Sequence, residues 1–552
     1  MILLASSVVT MDPHLPAASA VGVHDGRIIA VGTLAQCQAA LPSAPVIDLG
    51  PDTLMPGFIE PHGHPVHSGL SCQPPAYYVA PWLEPTWERV VAVAARAVRE
   101  VPPDRGIMLF GLDQLLHGVE FPDVAVMDGL FGDRLAAIVA LSQHRAAVTS
   151  ATLRALGWLA APPSDPTGGT FGRRRDGSLN GIADEVPAIL KLIKPVLNSL
   201  GGDPRAQTAS YLHHMSASGI TTTSDMSFTH DLLPIYQDVC ARPDMPMRVQ
   251  AYHATNDPGC EDDLDTRLPK AMLAKGGLKF WADGSPWLGT IATSFPYLDT
   301  AAVRRAGITD LLPKEKALNY NRDQLDAMLA AHAASGWQIA CHANGDLTID
   351  LVLDCFEDAL RAHGLLGTDH RWRLEHVGAV RPDQLQRMAA LGVVPTFGLF
   401  QMMQWGDLLD GELYAPEFGA RWSPVGDAAS VNLDQLHQSY HNDGNISPPN
   451  PLASVQAAVT RRANRATEDG GYELARGNLH GPEQQVSLHV ALRAITINAA
   501  YILRREHELG SITAGKWADF TQLSANPYEV DPTQLTDQVS VRRTWLAGRP
   551  TS

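Results

Sequence analysis

Two rhythms of apolar and polar positions alternate along the chain from about residue 205. Helical periodicity over 211–218, 324–335, 347–362 and 382–390 predicts helices. Short apolar runs at 219–225, 247–253, 277–283, 338–342, 371–376 and 393–396 predict strands between them. Strands that alternate with helices argue for an α/β fold with a parallel sheet and helical crossovers. The polar residues of these runs fall at their C-terminal ends, where a (β/α)8 barrel keeps its active site.

The rest of the chain departs from this rhythm. Residues 1–50 read as short strands, with a hairpin signal where apolar runs flank Asp25-Gly26. Similar strand patterns return at 515–523 and 539–548. Both ends therefore read as parts of one small β-domain, 1–55 with 505–552, around a barrel at 56–504, two unrelated capping hairpins being the alternative. A helix is expected over 86–100, within an excursion at about 72–200 that includes a hairpin-like stretch at 165–177. Residues 400–485 read as irregular and rich in Gly and Pro. A segment so long is usually functional, and it is read as a lid. Residues 486–500 read as one helix.

Composition narrows the choices. The formal charge of -17 excludes a nucleic-acid partner, because phosphate binding needs a basic surface. The six cysteines are scattered and contain no Cys-x-x-Cys, so neither a disulfide framework nor a zinc knuckle is expected. The N-terminus carries no basic residue before Arg27, and no apolar run reaches the ~18 residues of a spanning helix. A cytoplasmic protein without membrane contact is expected, its partners being a small-molecule substrate and at most a second copy of itself in a homodimer.

The candidate chemistry starts at Thr53-Leu-Met-Pro-Gly-Phe-Ile-Glu-Pro-His-Gly-His64. Side chains two apart on an extended segment face the same way, so His62 and His64 can address one point. Two imidazoles on one point are half of a metal site. His342 and His376 each end a later apolar run, Lys279 lies within another, and Asp443 lies in the long irregular segment. Imidazoles with a carboxylate suit Zn2+ or a related divalent ion. A core role for each histidine is the alternative when it is taken singly.

Lys279 is costly to bury as a cation, so its pKa should fall. A neutral buried amine can add carbon dioxide to give a carbamate able to bridge two metal ions. Pairing with Asp283 is the alternative. Asp443 can act as general base on a metal-activated water, or be a turn residue in Asn442-Asp-Gly. Glu185 reads as a surface carboxylate, or less readily as a ligand or substrate contact. No Gly-x-Ser-x-Gly elbow and no phosphate-cradling Gly-rich loop is present.

At these residues the sequence resembles the amidohydrolase superfamily, within it the amidohydrolase 3 or YtcJ-like branch that includes N-substituted formamide deformylase. The matching stretches are Met55-Pro-Gly-Phe-Ile-Glu-Pro-His-Gly-His64, Leu278-Lys-Phe-Trp-Ala-Asp-Gly-Ser285, Cys341-His-Ala-Asn-Gly-Asp346 and Leu374-Glu-His-Val377. Others are Pro448-Pro-Asn-Pro-Leu452 and Gly510-Ser-Ile-Thr-Ala-Gly-Lys-Trp-Ala-Asp519. The resemblance implies a metal-bearing barrel with a β-sandwich built from both ends. It implies His62, His64, His342 and His376 as metal ligands, Lys279 as the carboxylated bridge and Asp443 as the metal-linked catalytic aspartate. Two positions depart from the pattern. Glu60 stands where the family commonly has Asp, and Asp443 sits in His441-Asn-Asp-Gly rather than a Gly-Ser-Asp-x-Pro-Val motif.

The expected function is hydrolysis of a C–N bond in a small, aromatic or apolar amide or N-acyl compound, with one or two zinc ions and Asp443, Lys279 and His342 in catalytic roles. The same site would serve a lactone, ester or carbamate hydrolase, an isomerase or a deaminase. A non-catalytic scaffold is disfavoured by the full set of ligand types.

Overall fold

Eight strands run parallel in one hydrogen-bonded series. They are β1 (Phe58–Glu60), β2 (Ile220–Phe228), β3 (Arg248–Ala254), β4 (Leu273–Trp281), β5 (Gln338–Ala343), β6 (Arg373–His376), β7 (Val394–Phe397) and β8 (Ser439–Tyr440). The computed structural model describes residues 1–166, 169–431, 436–467 and 472–551. Thr167 and Gly168 of the hairpin-like stretch lie outside them, as does Asp434.

The strands are apolar runs rather than alternating ones because helices cover their outer face and side chains fill the inside. β3, β5, β6 and β7 are buried at every residue. The helices between them start where the sequence supplies a cap. Asn321 and Gln324 form a reciprocal capping box at the head of Arg322–His332. Register then sets the site. Lys279 pairs with Ala340 and Trp281 with His342, while Ala343 pairs with His376. Lys279, His342 and His376 therefore lie at the same end of three neighbouring strands.

The barrel is nearly closed. Between β8 and β1 the ladder gives way to side chains and a turn. Asn442 donates its backbone N–H to Glu60 at 3.1 Å and its Nδ2 at 2.9 Å. The Ile59 N–H goes to Ile495 O at 2.9 Å. That carbonyl is free because the helix expected over 486–500 breaks here into Leu488–Ala494 and Ile497–Ile502.

Strands from both chain ends join in one eight-stranded mixed sheet, with Thr53–Pro56 antiparallel to Phe520–Leu523. Both chain ends thus contribute strands to one shared sheet. Its hairpin turns at Asp25-Gly26, both with positive φ (47° and 74°), as the tight turn between two strands requires. A buried bidentate pair ties this sheet to the barrel: Arg248 of β3 donates to Asp519 at 2.7 and 3.0 Å.

A third, six-stranded sheet runs from Tyr77–Tyr78 to Leu179–Asp184. Its apolar core merges with Trp287, Phe400, Trp405 and Ile446, which come from beyond the barrel strands. Residues 400–485 are less irregular than expected. They include the helices Phe400–Leu409 and Pro451–Thr460. These are buried almost all round, so they carry no amphipathic rhythm for a sequence reading to find.

Candidate metal centre

The C-terminal ends of β1, β4, β5, β6 and β8 deliver the six residues singled out in the sequence to one region. His62 and His64 follow β1, and Pro65 starts a helix directly after them. Their Nε2 atoms converge on one oxygen, Asp443 Oδ1, at 3.3 and 3.2 Å. Each ring is fixed from behind. His62 Nδ1 lies 2.6 Å from Glu375 Oε2, and His64 Nδ1 lies 2.8 Å from Ser227 Oγ. A neutral imidazole that gives its N–H to such a partner keeps the other nitrogen free as a ligand.

His376 closes the opposite side, its ring 4.8 Å from that of His62 and its Nδ1 4.0 Å from Asp443 Oδ2. His342 stands edge-on to His376 with ring centres 4.4 Å apart, but its Nε2 faces the Gly284 carbonyl at 2.9 Å. It is thus beside the cluster rather than directed at Asp443. Lys279 is fully buried, and among the described residues its Nζ has no hydrogen-bond partner. Its ammonium lies 4.6 Å from the Trp281 ring centre. Asp283, the alternative partner, instead accepts the backbone N–H groups of Asn344 and Gly345. The two readings of Asp443 prove compatible. It has φ 61° ahead of Gly444 at 63°, a tight turn, and it also points into the histidine cluster.

His376 and Asp443 both hold positive φ, at 70° and 61°. Such backbone costs on the order of 1–3 kcal/mol per residue and collects at functional sites.

Burial sets the electrostatics. It pushes the His62 and His376 pKa values well down, and neighbouring basic groups push the same way, Lys279 first for His62 and His342 first for His376, because a second proton in the cluster is disfavoured. His342 falls to about 3 and His441 to about 4, burial again dominating. All four rings are therefore neutral, the form that ligates metal. Burial brings Lys279 down to about 8, within reach of its neutral amine. For Asp443 burial raises the pKa. The hydrogen bond and charge of His64, with His441 and Lys279, outweigh it and leave the group below its ordinary value, as a carboxylate. Burial holds Glu60 up to about 8 despite its bonds to Asn442, so the Glu that replaces the expected Asp binds the seam rather than the cluster.

His441, two residues before Asp443, was passed over as a candidate. It stacks on His62 at 4.5 Å, and among the described residues neither ring nitrogen has a hydrogen-bond partner. Ligand atoms of His62, His64 and Asp443 lie within 4.8 Å of one another, as do those of His376, His441 and Asp443. Glu375 and Ser227, the supports of His62 and His64, were also missed.

The donor set fits a divalent cation. Among the described residues, Lys279 Nζ, His376 Nδ1 and both nitrogens of His441 are buried without hydrogen-bond partners. Such nitrogens are costly to leave unmet, and a bound ion would satisfy the lone-pair nitrogen of a neutral imidazole.

Comparison with known proteins gives the family and the fold. A family model described as the amidohydrolase family matches residues 45–552. Protein LONG AFTER FAR-RED 3 of Arabidopsis thaliana is 26% identical over 98% of this chain and 90% of its own. The N-substituted formamide deformylase of Arthrobacter pascens is 26% identical over 99% of this chain and 97% of its own. Among solved structures, an uncharacterized metal-dependent hydrolase from Pyrococcus horikoshii OT3 shares the fold. Its TM-score is 0.69 at 21% identity, covering 96% of this chain and 98% of that one.

Proposed function

This chain belongs to the amidohydrolase family, and on that premise we propose that it hydrolyses the C–N bond of a small amide or N-acyl compound with one or two bound divalent ions. His62, His64, His342, His376 and Asp443 would hold the metal, Zn2+ being suited to imidazole and carboxylate donors. Lys279, as a carbamate, would add two oxygens sharing one negative charge, and His441 would join the set through the lone-pair nitrogen of its neutral ring. A bound ion of this kind supplies a Lewis acid that acidifies water and polarises a carbonyl.

The chain's own residues do the rest. Asp443, kept as a carboxylate by His64, His441 and Lys279, takes the proton from the attacking water as a general base. Glu375 holds the His62 ring so that Nε2 faces Asp443. Phe400, 5.7 Å from the His441 ring, begins an apolar wall that continues through Trp405 and Trp287. That wall favours an aromatic or bulky apolar substrate. In this reading 1–55 with 505–552 form the small β-domain, 72–200 the excursion from the barrel, and 400–485 the segment that covers the site.

The observation that carries the proposal is the convergence of His62 and His64 on a single oxygen of Asp443. The test is a hydrolysis screen of the zinc-loaded protein with N-formyl and N-acyl arylamines, esters and lactones. Amide turnover is expected. Turnover confined to esters and lactones, or none at all, would overturn the reading.

A further inference from the structure

The six-stranded sheet brings a second acid–base pair towards Asp443. His144 lies in the turn between the strands Ala136–Ala140 and Arg145–Val148, and Glu185 directly follows the strand Leu179–Asp184. His144 Nδ1 is 2.7 Å from Glu185 Oε2, and the Glu185 N–H donates to His144 O at 2.9 Å. The pair is only partly covered, with side chains 18% and 27% exposed.

Three observations separate this pair from an ordinary surface ion pair. Gln143 (φ 62°) and Glu185 (φ 67°) are both held in left-handed backbone, a conformation that persists only where the surroundings over-determine it. The next residues clamp the strands, since Arg145 donates to Asp184 at 2.5 and 3.2 Å. Finally, the turn is fastened to the loop of Asp443. Gln143 Nε2 donates to Asn445 Oδ1 at 3.1 Å, and the Tyr78 hydroxyl donates to Asn445 O at 2.8 Å. Burial disfavours a charged His144, but Glu185 outweighs it, and the fields of Asp283 and Asp443 also reach the ring. The Gln143–Asn445 bond thus sets the turn that carries His144 beside the loop of Asp443, and Glu185 stabilises the proton of the ring.

We propose that His144, held by Glu185, donates the proton to the departing nitrogen. This rests on the hydrolase reading above and deepens it. With Nδ1–H given to Glu185, Nε2–H is left for a substrate. Water oxygen bonds to the carbonyl carbon and its proton passes to Asp443. The C–N bond breaks with its electron pair kept on nitrogen, which takes the proton from His144 Nε2. Asp443 then releases its proton to solvent and His144 regains one, so one water is divided between acid and amine. Glu185 is a positioning residue that holds the ring and favours its protonated form. The substrate class this implies is an amide with a basic leaving amine, the kind that cannot depart unprotonated.

The test compares two leaving groups on one acyl group, with the zinc-loaded full chain. An N-acyl benzylamine leaves as a strongly basic amine, and the matching N-acyl 4-nitroaniline as a weakly basic one. His144→Gln should lower kcat for the benzylamide about 100-fold, as loss of a positioned acid does, and for the nitroanilide less than about 10-fold. Glu185→Gln should show the same asymmetry at smaller size, with metal content and unfolding midpoint unchanged. It carries the test if His144→Gln fails to fold. Equal loss on both substrates, a change confined to KM, or no loss would overturn the proposal while the hydrolase reading stands. Absence of wild-type turnover on either amide would overturn both.

Discussion

Nδ1 of His62 lies 2.6 Å from Oε2 of Glu375, and both side chains are sealed from solvent. The same carboxylate pairs with Arg373 and accepts from Thr396, and Arg373 reaches on to the Pro61 carbonyl at 2.9 Å. A buried chain of charge therefore runs from β6 to the loop that carries His62, and it fixes which imidazole nitrogen faces Asp443.

This support has a measurable weight. Glu375→Gln keeps the shape and one hydrogen bond but loses the charge. It should weaken zinc binding about 10–100-fold, as loss of an outer carboxylate does. It should also destabilise the fold by about 3–5 kcal/mol, because Arg373 is left as a buried cation without its partner. Zinc titration followed by a competing chelator, with an unfolding curve of each protein, measures both. Unchanged zinc affinity would remove the orienting role.

Asp443→Asn separates metal holding from proton transfer. Asn tolerates the left-handed backbone at this position, so the turn should survive. Most of the metal and the substrate affinity should remain, while kcat falls on the order of 100-fold or more. Asp427, paired with Arg421 away from the histidines, is the control. A near-normal Asp443→Asn beside an inactive Asp427→Asn would place the base elsewhere.

Lys279 should carry an added carbon dioxide in the native protein. Its Nζ has no hydrogen-bond partner among the described residues, and its lowered pKa, about 8, makes the neutral amine accessible. Lys279→Ala should lose activity and recover part of it with short-chain carboxylic acids and zinc. Native mass spectrometry that finds an unmodified lysine in a fully metal-loaded, active protein would refute the bridge.

A prediction independent of catalysis concerns His480, which joins the Phe400–Leu409 helix to the chain beyond it. Its Nε2 lies 2.7 Å from Asp407 and its Nδ1 2.8 Å from Asp410. Burial lowers its pKa, but the two carboxylates outweigh burial and leave it raised. The folded value thus lies above the unfolded one, about 6.5. The bridge contributes fully below that pH and is lost as pH rises through the folded value. His480→Gln should cost about 1 kcal/mol near pH 6 and less near pH 9. Equal costs at both pH values, read from unfolding midpoints, would contradict this.

The sequence carried the barrel wherever an apolar run ended in a polar motif. β3, β5, β6 and β7 lie within about two residues of the runs that predicted them, because burial on both faces writes itself as a continuous hydrophobic stretch, whereas β4 starts at Leu273, ahead of the run 277–283 that predicted it. Other parts stayed hidden for stated reasons. β8 is only Ser439–Tyr440, too short to show a pattern. The Pro451–Thr460 helix is buried all round and so lacks a polar face. In the site, simple alternation along β6 does not tell whether Glu375 or His376 faces the cluster. His376 leaves the strand at φ 70°, which breaks the alternation and lets both serve it. His441 was overlooked because its motif departs from the family pattern, although it stands next to the residues that were chosen. The His144–Glu185 pair is set by a turn and a strand end about 40 residues apart, and only the folded sheet brings them together.

The central claim is that the histidine cluster around Asp443 is a metal centre. Metal stoichiometry by inductively coupled plasma mass spectrometry, on wild type and on the His62→Ala/His64→Ala double variant, addresses it most directly. The account predicts one or two divalent ions per chain in the wild type and a clear loss in a double variant that remains folded by circular dichroism. A double variant that keeps full metal occupancy, or a wild type that takes up no ion when supplied with zinc, would contradict it.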